Sequence, residues 1–156
     1  MAVKRLANAY SELSYRLDFV IDESKLEFYL NQRIKFKLKD LQDKLLLHSK
    51  GLLINRISIN DNNLDFKHLD QDILEVNLGS KLGNGELAIE LKAPITDTLE
   101  GIYPSRYEED GINKIVFVTQ LESHYARELF VCVDEPEAKA RFTVSVEHDS
   151  KLTCLS

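Results

Sequence analysis

The chain has 156 residues, of which 44% are hydrophobic and 29% charged, the make-up of one ordinary globular domain. A domain of this length buries roughly 70% of its unfolded surface, so its core needs neither disulfides nor a structural metal. The formal net charge is −6 with no block of basic residues, which speaks against nucleic acid as a partner, since such binding rests on Lys/Arg contacts to phosphate.

Residues 1–12, MAVKRLANAYSE, hold a basic pair with no apolar run behind it, so they do not read as a secretory signal. They are expected to be a loose leading segment of a single β domain spanning 1–156. Nothing in the chain approaches the roughly 18 consecutive apolar residues of a membrane-spanning helix, so no membrane partner is expected. From there period-2 alternation takes over. Tyr15, Leu17, Phe19 and Ile21 share one parity, and after the turn DESK the residues Leu26, Phe28, Leu30, Ile34, Phe36 and Leu38 share another. Lysines fill the intervening positions 35, 37 and 39. Two alternating runs joined by a short polar turn predict an antiparallel hairpin with one wet face.

Shorter strands are predicted at KLLLHS, INRISIN, LDFKHL, ILEVNL, ELAIELKA, KIVFVTQ and ARFTVSVEH. Turn residues punctuate them at NDNN (60–63), GSKLGNG (79–85) and EEDG (108–111), where Asn, Asp and Gly tolerate left-handed backbone. The fold class is therefore all-β: an antiparallel or mixed β-sandwich, or a saddle-shaped sheet. One short helical turn is expected near residues 123–130, where Ala126, Leu129 and Phe130 recur at helical spacing and Glu122 or Ser123 could cap the start. Cys132 and Cys154 lack a C-x-x-C spacing and are read as free thiols of a cytoplasmic protein.

The motifs of stand-alone catalysis are missing. None of His48, His68, His124 and His148 opens a His-Glu-x-x-His, and there is no Gly-x-Ser-x-Gly elbow or phosphate-cradling Gly-x-x-x-x-Gly-Lys. GSKLGNG is glycine-rich, but no helix pattern follows it to complete a phosphate site. No catalytic residue and no metal site is expected in this chain.

What remains is the polar run TQLESHYARELFVCVDEPEAKARF, residues 119–142. Taken singly its members have plain structural readings. Glu122 is a surface carboxylate, a cap or an ion-pair partner, and Gln120 bonds neighbouring backbone at a strand end. Arg127 and Asp134 pair to hold the helical turn on the sheet, and His124 is exposed.

Together they resemble the signature near the end of the N-terminal domain of the aminopeptidase N family of zinc metallopeptidases. Its pattern of Thr-Gln-x-Glu, Ala-Arg, Phe-x-Cys-x-Asp-Glu-Pro and Lys-Ala-x-Phe is met by Thr119, Gln120, Glu122, Ala126, Arg127, Phe130, Cys132, Asp134, Glu135, Pro136, Lys139, Ala140 and Phe142. Upstream, LEGIYPSRYEEDG resembles the family's Leu-x-Gly-Leu-Tyr-x-Ser-x-Tyr segment, and YRLDFVIDESKLEFYLNQRIKF its opening hairpin. Val131 stands where the family commonly has Pro, and Val133 where it has an aromatic.

The resemblance implies that Glu122 receives the α-ammonium group of a peptide N-terminus, with Gln120 lining the floor of the same subsite. It also implies that zinc and the general base lie in a following catalytic domain absent from this chain. These 156 residues would then wall one side of the cleft and be inactive alone, as part of an enzyme that removes N-terminal amino acids. The implied partners are the peptide N-terminus and the protein's own catalytic domain. A face left exposed by that domain's absence is expected to favour dimers. The alternative is a stand-alone β-sandwich binding or interaction module without hydrolytic activity.

Overall fold

A computed structural model describes residues 5–155. The chain is all-β with mixed strand pairing, in a seven-stranded sheet and a separate two-stranded one. The strands are β1 (Tyr10–Asp22), β2 (Glu27–His48), β3 (Leu53–Ile59), β4 (Asn62–Asn63), β5 (Phe66–Leu69), β6 (Ile73–Pro94), β7 (Gly101–Glu109), β8 (Ile112–Gln120) and β9 (Arg141–Glu147). In the large sheet the order is β4-β3-β6-β2-β1-β9, with β5 also paired to β6, while β7 and β8 form the hairpin of the small sheet. Pairing is antiparallel except between β1 and β9, which run parallel.

Alternation decides which face of β2 is buried. Phe28, Leu30, Ile34, Phe36 and Leu38 lie in the core while Lys35, Lys37 and Lys39 face solvent. The β1–β2 hairpin expected from the sequence turns through residues 23–26, where Leu26 takes a positive φ of 52°. The turns at NDNN and EEDG also form, with positive φ at Asn60, Asp61, Asp110 and Gly111.

Three expectations need correction. GSKLGNG does not separate two strands but lies inside the 22-residue β6, opposite a stretch of β2 whose register shifts between Lys37 and Lys44. Glycine marks bulges and close approaches as readily as turns. At Gly85 a Cβ would stand 2.9 Å from Ile59 Cδ1 and 3.0 Å from Phe36 Cζ. The segment 101–109 is not among the predicted strands. It forms β7 nonetheless, because β8 is its one partner in a two-stranded sheet and Pro needs no donor on the open side.

The leading segment is ordered from Leu6 onward rather than loose, with residues 1–4 outside the described part. Leu6–Ala9 form a 3₁₀ turn, Leu6 and Tyr10 are buried, and β1 begins at Tyr10. Glu135 holds this turn by accepting from the backbone N–H groups of Leu6 at 3.0 Å and Ala7 at 2.9 Å. Among the described residues, no helix is long and apolar enough to cross a membrane.

Candidate functional site

The core continues from the large sheet into the irregular segment after β8. Leu129, Phe130, Val131, Cys132 and Val133 are all buried, although none belongs to a strand of the large sheet. Four contacts lock the segment down. His48 and Cys132 exchange backbone bonds of 2.6 and 3.1 Å, and Gln32 bonds both backbone groups of Val131. The Tyr15 hydroxyl accepts from Val133 N at 3.1 Å, and Phe130 meets the Tyr15 ring edge-on at 5.9 Å. A non-helical chain buried in this way needs such partners for its peptide groups.

The expected helical turn is shorter than its spacing suggested, a single 3₁₀ turn at Ala126–Glu128 with no side-chain cap. Tyr125, not Glu122 or Ser123, stands at its N-cap. Its anchor is the ion pair expected from the sequence. Arg127 Nε donates to Asp134 Oδ2 at 3.0 Å, and both side chains are nearly buried. The same oxygen accepts from Arg127 N at 3.3 Å. The backbone N–H of Asp134 donates in turn to His48 Nδ1 at 3.0 Å. Burial first, and the Arg127 guanidinium second, hold the His48 imidazole below its ordinary value of 6.5. Burial pushes the Cys132 thiol well up, making it an inert thiol, and Cys154 is a free, exposed one.

β8 ends at Gln120, and Glu122 lies two residues on, just before a cis Glu122–Ser123 peptide bond. Both side chains are exposed. The Gln120 Oε1 accepts from the Glu122 backbone N–H at 3.2 Å, so the amide that the sequence places near the carboxylate pins that residue's backbone. Glu122 borders a hollow of about 410 Å³ whose wall also includes Tyr15, Phe130, Asp134 and Glu135. Three carboxylates therefore ring this hollow. Asp134 is occupied by Arg127 and Glu135 by the Leu6 and Ala7 N–H groups. Among the described residues the Glu122 carboxylate has no hydrogen bond or ion pair.

Two residues important to this corner, Gln32 and His48, were not singled out from the sequence. A signal for Gln32 existed: it falls at an inward parity position between Leu30 and Ile34, where a polar residue must find a buried partner. His48 offered none, because its partner Asp134 is distant in sequence. Among the described residues no three His, Cys, Asp or Glu side chains gather so as to hold a metal ion.

Residues 11–156 match the peptidase M1 N-terminal domain. The chain belongs to that family. It is 35% identical over 150 residues to an aminopeptidase N of Lactobacillus delbrueckii subsp. lactis, covering 96% of the chain and 17% of that protein. An aminopeptidase N of Lactococcus lactis subsp. cremoris is 36% identical over 154 residues, 97% of the chain and 18% of the relative. An aminopeptidase M1-D of Oryza sativa subsp. japonica is 36% identical over 118 residues, 72% of the chain and 14% of the relative. This M1 N-terminal domain thus spans less than a fifth of the curated relatives it matches.

Proposed function

We propose that this domain walls one side of the substrate cleft of an M1 aminopeptidase, and that Glu122 receives the α-ammonium group of the peptide N-terminus. The observation that carries this reading is the Glu122 carboxylate, without a partner among the described residues, at the rim of a hollow where the neighbouring carboxylates are already engaged. A carboxylate accepts charge-assisted hydrogen bonds from an ammonium. A fixed one also measures the chain end, since an internal peptide segment would leave its charge unpaired. Gln120 serves by fixing the Glu122 backbone through its amide oxygen and by lining the floor of the subsite.

Hydrolysis, with its zinc, belongs to the catalytic domain of the parent enzyme, and this domain alone is inactive. The free thiols favour a reducing, cytoplasmic setting. The test is steady-state kinetics of the full-length parent on amino-acid amides with Glu122→Ala. KM rises and kcat/KM falls if the carboxylate holds the ammonium group. Unchanged kinetics in a folded variant refute the assignment.

A further inference from the structure

Strand β2 ends at His48, and from there His48, Ser49 and Lys50 grip the segment that follows β8. His48 and Cys132 exchange backbone bonds, and the Lys50 N–H donates to Arg127 O at 2.9 Å. The Lys50 ammonium donates to Glu128 Oε1 at 2.7 Å. The Ser49 N–H donates to Asp72 O at 2.8 Å, and the Asp72 carboxylate in turn meets Arg127 at 3.5 Å. The Ala126–Glu128 turn held in this way carries one further link. The Tyr125 N–H donates to Leu121 O at 3.1 Å, which closes the loop on which Glu122 sits.

One contact of this clamp depends on protonation. The Asp134 backbone N–H donates to His48 Nδ1 at 3.0 Å. An amide N–H has only a proton to offer, so Nδ1 presents its lone pair and the neutral ring carries its proton on Nε2. A protonated ring would set one N–H against another, at a residue that is buried. The carboxylate of the same Asp134 fixes Arg127, and Asp134, Glu135 and Glu122 line one hollow.

We propose that His48 is a positioning residue for Glu122, holding that carboxylate in place only while the imidazole is neutral. The inference rests on the reading of Glu122 as acceptor of the substrate ammonium group. Protonation of His48 takes away the partner of the Asp134 N–H. The wall formed by Asp134 and Glu135 then loosens, and through Arg127 so does the turn behind Glu122. The groups that face the ring set where this happens. Burial opposes the cation most strongly, and the Arg127 guanidinium adds to it. Glu135, Asp134 and Asp72 pull the other way without reversing the result. Tyr15 and Cys132, at the same segment, are pushed up by burial and stay neutral. The change of state therefore falls below the ordinary 6.5 of a histidine. Anchoring is intact above that value and is lost as pH falls through the lowered one.

The test is steady-state kinetics of the full-length parent on leucinamide from about pH 7 to about pH 5, where the substrate amine stays cationic. His48→Asn puts an amide oxygen near the place of Nδ1 and does not titrate. The ratio of the wild-type KM to that of His48→Asn is expected to lie near one at the upper end. It should climb to roughly fivefold at the lower end, the small end of usual couplings between sites. His48→Leu offers no acceptor at any pH, so its KM is expected to be raised throughout with kcat little changed. A merely structural role would instead reduce the amount of folded enzyme, lowering the apparent kcat and leaving KM alone. A KM ratio that stays level across the range overturns the proposal, and this comparison stands even where His48→Leu does not fold. A wild-type KM in folded His48→Leu also overturns it while Glu122→Ala raises KM, and then the anchoring role of Glu122 survives. Wild-type kinetics in Glu122→Ala refute that role itself, and the positioning with it.

Discussion

Gln32 and Val131 stand 99 positions apart and bond as two paired strands would. The Gln32 side-chain amide donates to Val131 O at 2.5 Å and accepts from Val131 N at 3.1 Å, and both residues are buried. One glutamine thereby supplies partners for both backbone groups of a buried residue that lies outside the named strands. Gln32→Leu would leave two buried backbone groups unsatisfied at about 1–3 kcal/mol each. The urea midpoint is expected to fall at unchanged m-value, whereas an unchanged midpoint would show that the segment does not depend on this amide.

The Arg127–Asp134 pair has side-chain exposures of 13% and 10%, unlike the open surface pairs of this chain. Removing one partner of a largely buried pair costs about 3–5 kcal/mol when the other charge is left alone, and without Asp134 the Arg127 guanidinium keeps only the longer contact to the more exposed Asp72 at 3.5 Å. Asp134→Ala is therefore expected to destabilise far more than Glu137→Ala, whose carboxylate meets Arg5 at an exposed site. Equal losses in chemical denaturation would show the corner is held by packing alone.

His48 makes stability depend on pH. Its folded-state value lies below 6.5, chiefly through burial, while the unfolded chain titrates near the ordinary value. Between those two values the unfolded state binds more protons, so stability rises with pH there. The contribution is fully present above about 6.5 and is lost as pH falls through the lowered folded value. His48→Gln removes the titration, and its denaturation midpoints should change less between pH 7 and pH 5 than wild type's. An identical pH slope in both proteins would exclude His48 as the source.

Gly101 opens β7 at a φ of +63°, and a Cβ there would stand 3.2 Å from Glu128 Cβ in the 3₁₀ turn. Gly51 has a similar φ of +69° with nothing within 4 Å. Gly51→Ala thus reports backbone strain alone, about 1 kcal/mol, and Gly101→Ala is expected to lose more because Glu128 must also shift. Thermal melts of the two variants compare these directly, and equal losses would mean the turn yields freely.

In the parent enzyme Glu122→Gln separates charge from hydrogen bonding. Hydrogen bonds to charged groups are worth about 1.5–3 kcal/mol, so Glu122→Ala is expected to lower kcat/KM by about tenfold or more. Glu122→Gln should fall between Ala and wild type, because the amide still accepts a hydrogen bond without the charge. Equal values for Gln and Ala would assign the whole effect to charge.

Much of this was legible in the chain. Alternation in residues 15–38 is a local property of the backbone, so it announced the β1–β2 hairpin and its buried face before any tertiary contact was known. The Arg127–Asp134 pair was legible too, being seven residues apart within the one segment between β8 and β9. Glycine misled at 79–85, since a bulge and a turn draw on the same residues. Strand β7 was not foreseen at all; its Pro104 is tolerated because, among the described residues, the strand has β8 as its one neighbour.

By itself the sequence determined the all-β class, the polarity of its long strands and, through the 119–142 signature, membership of the M1 N-terminal domain family. These rest on near neighbours in the chain and on residue identity. Only the tertiary structure decided which carboxylate stays unpartnered. Asp134 is taken by Arg127, Glu135 by a turn at the far end of the chain, and Glu122 by neither. That outcome depends on the Leu6–Ala9 turn meeting residues well over a hundred positions away, and no local pattern carries such a distance.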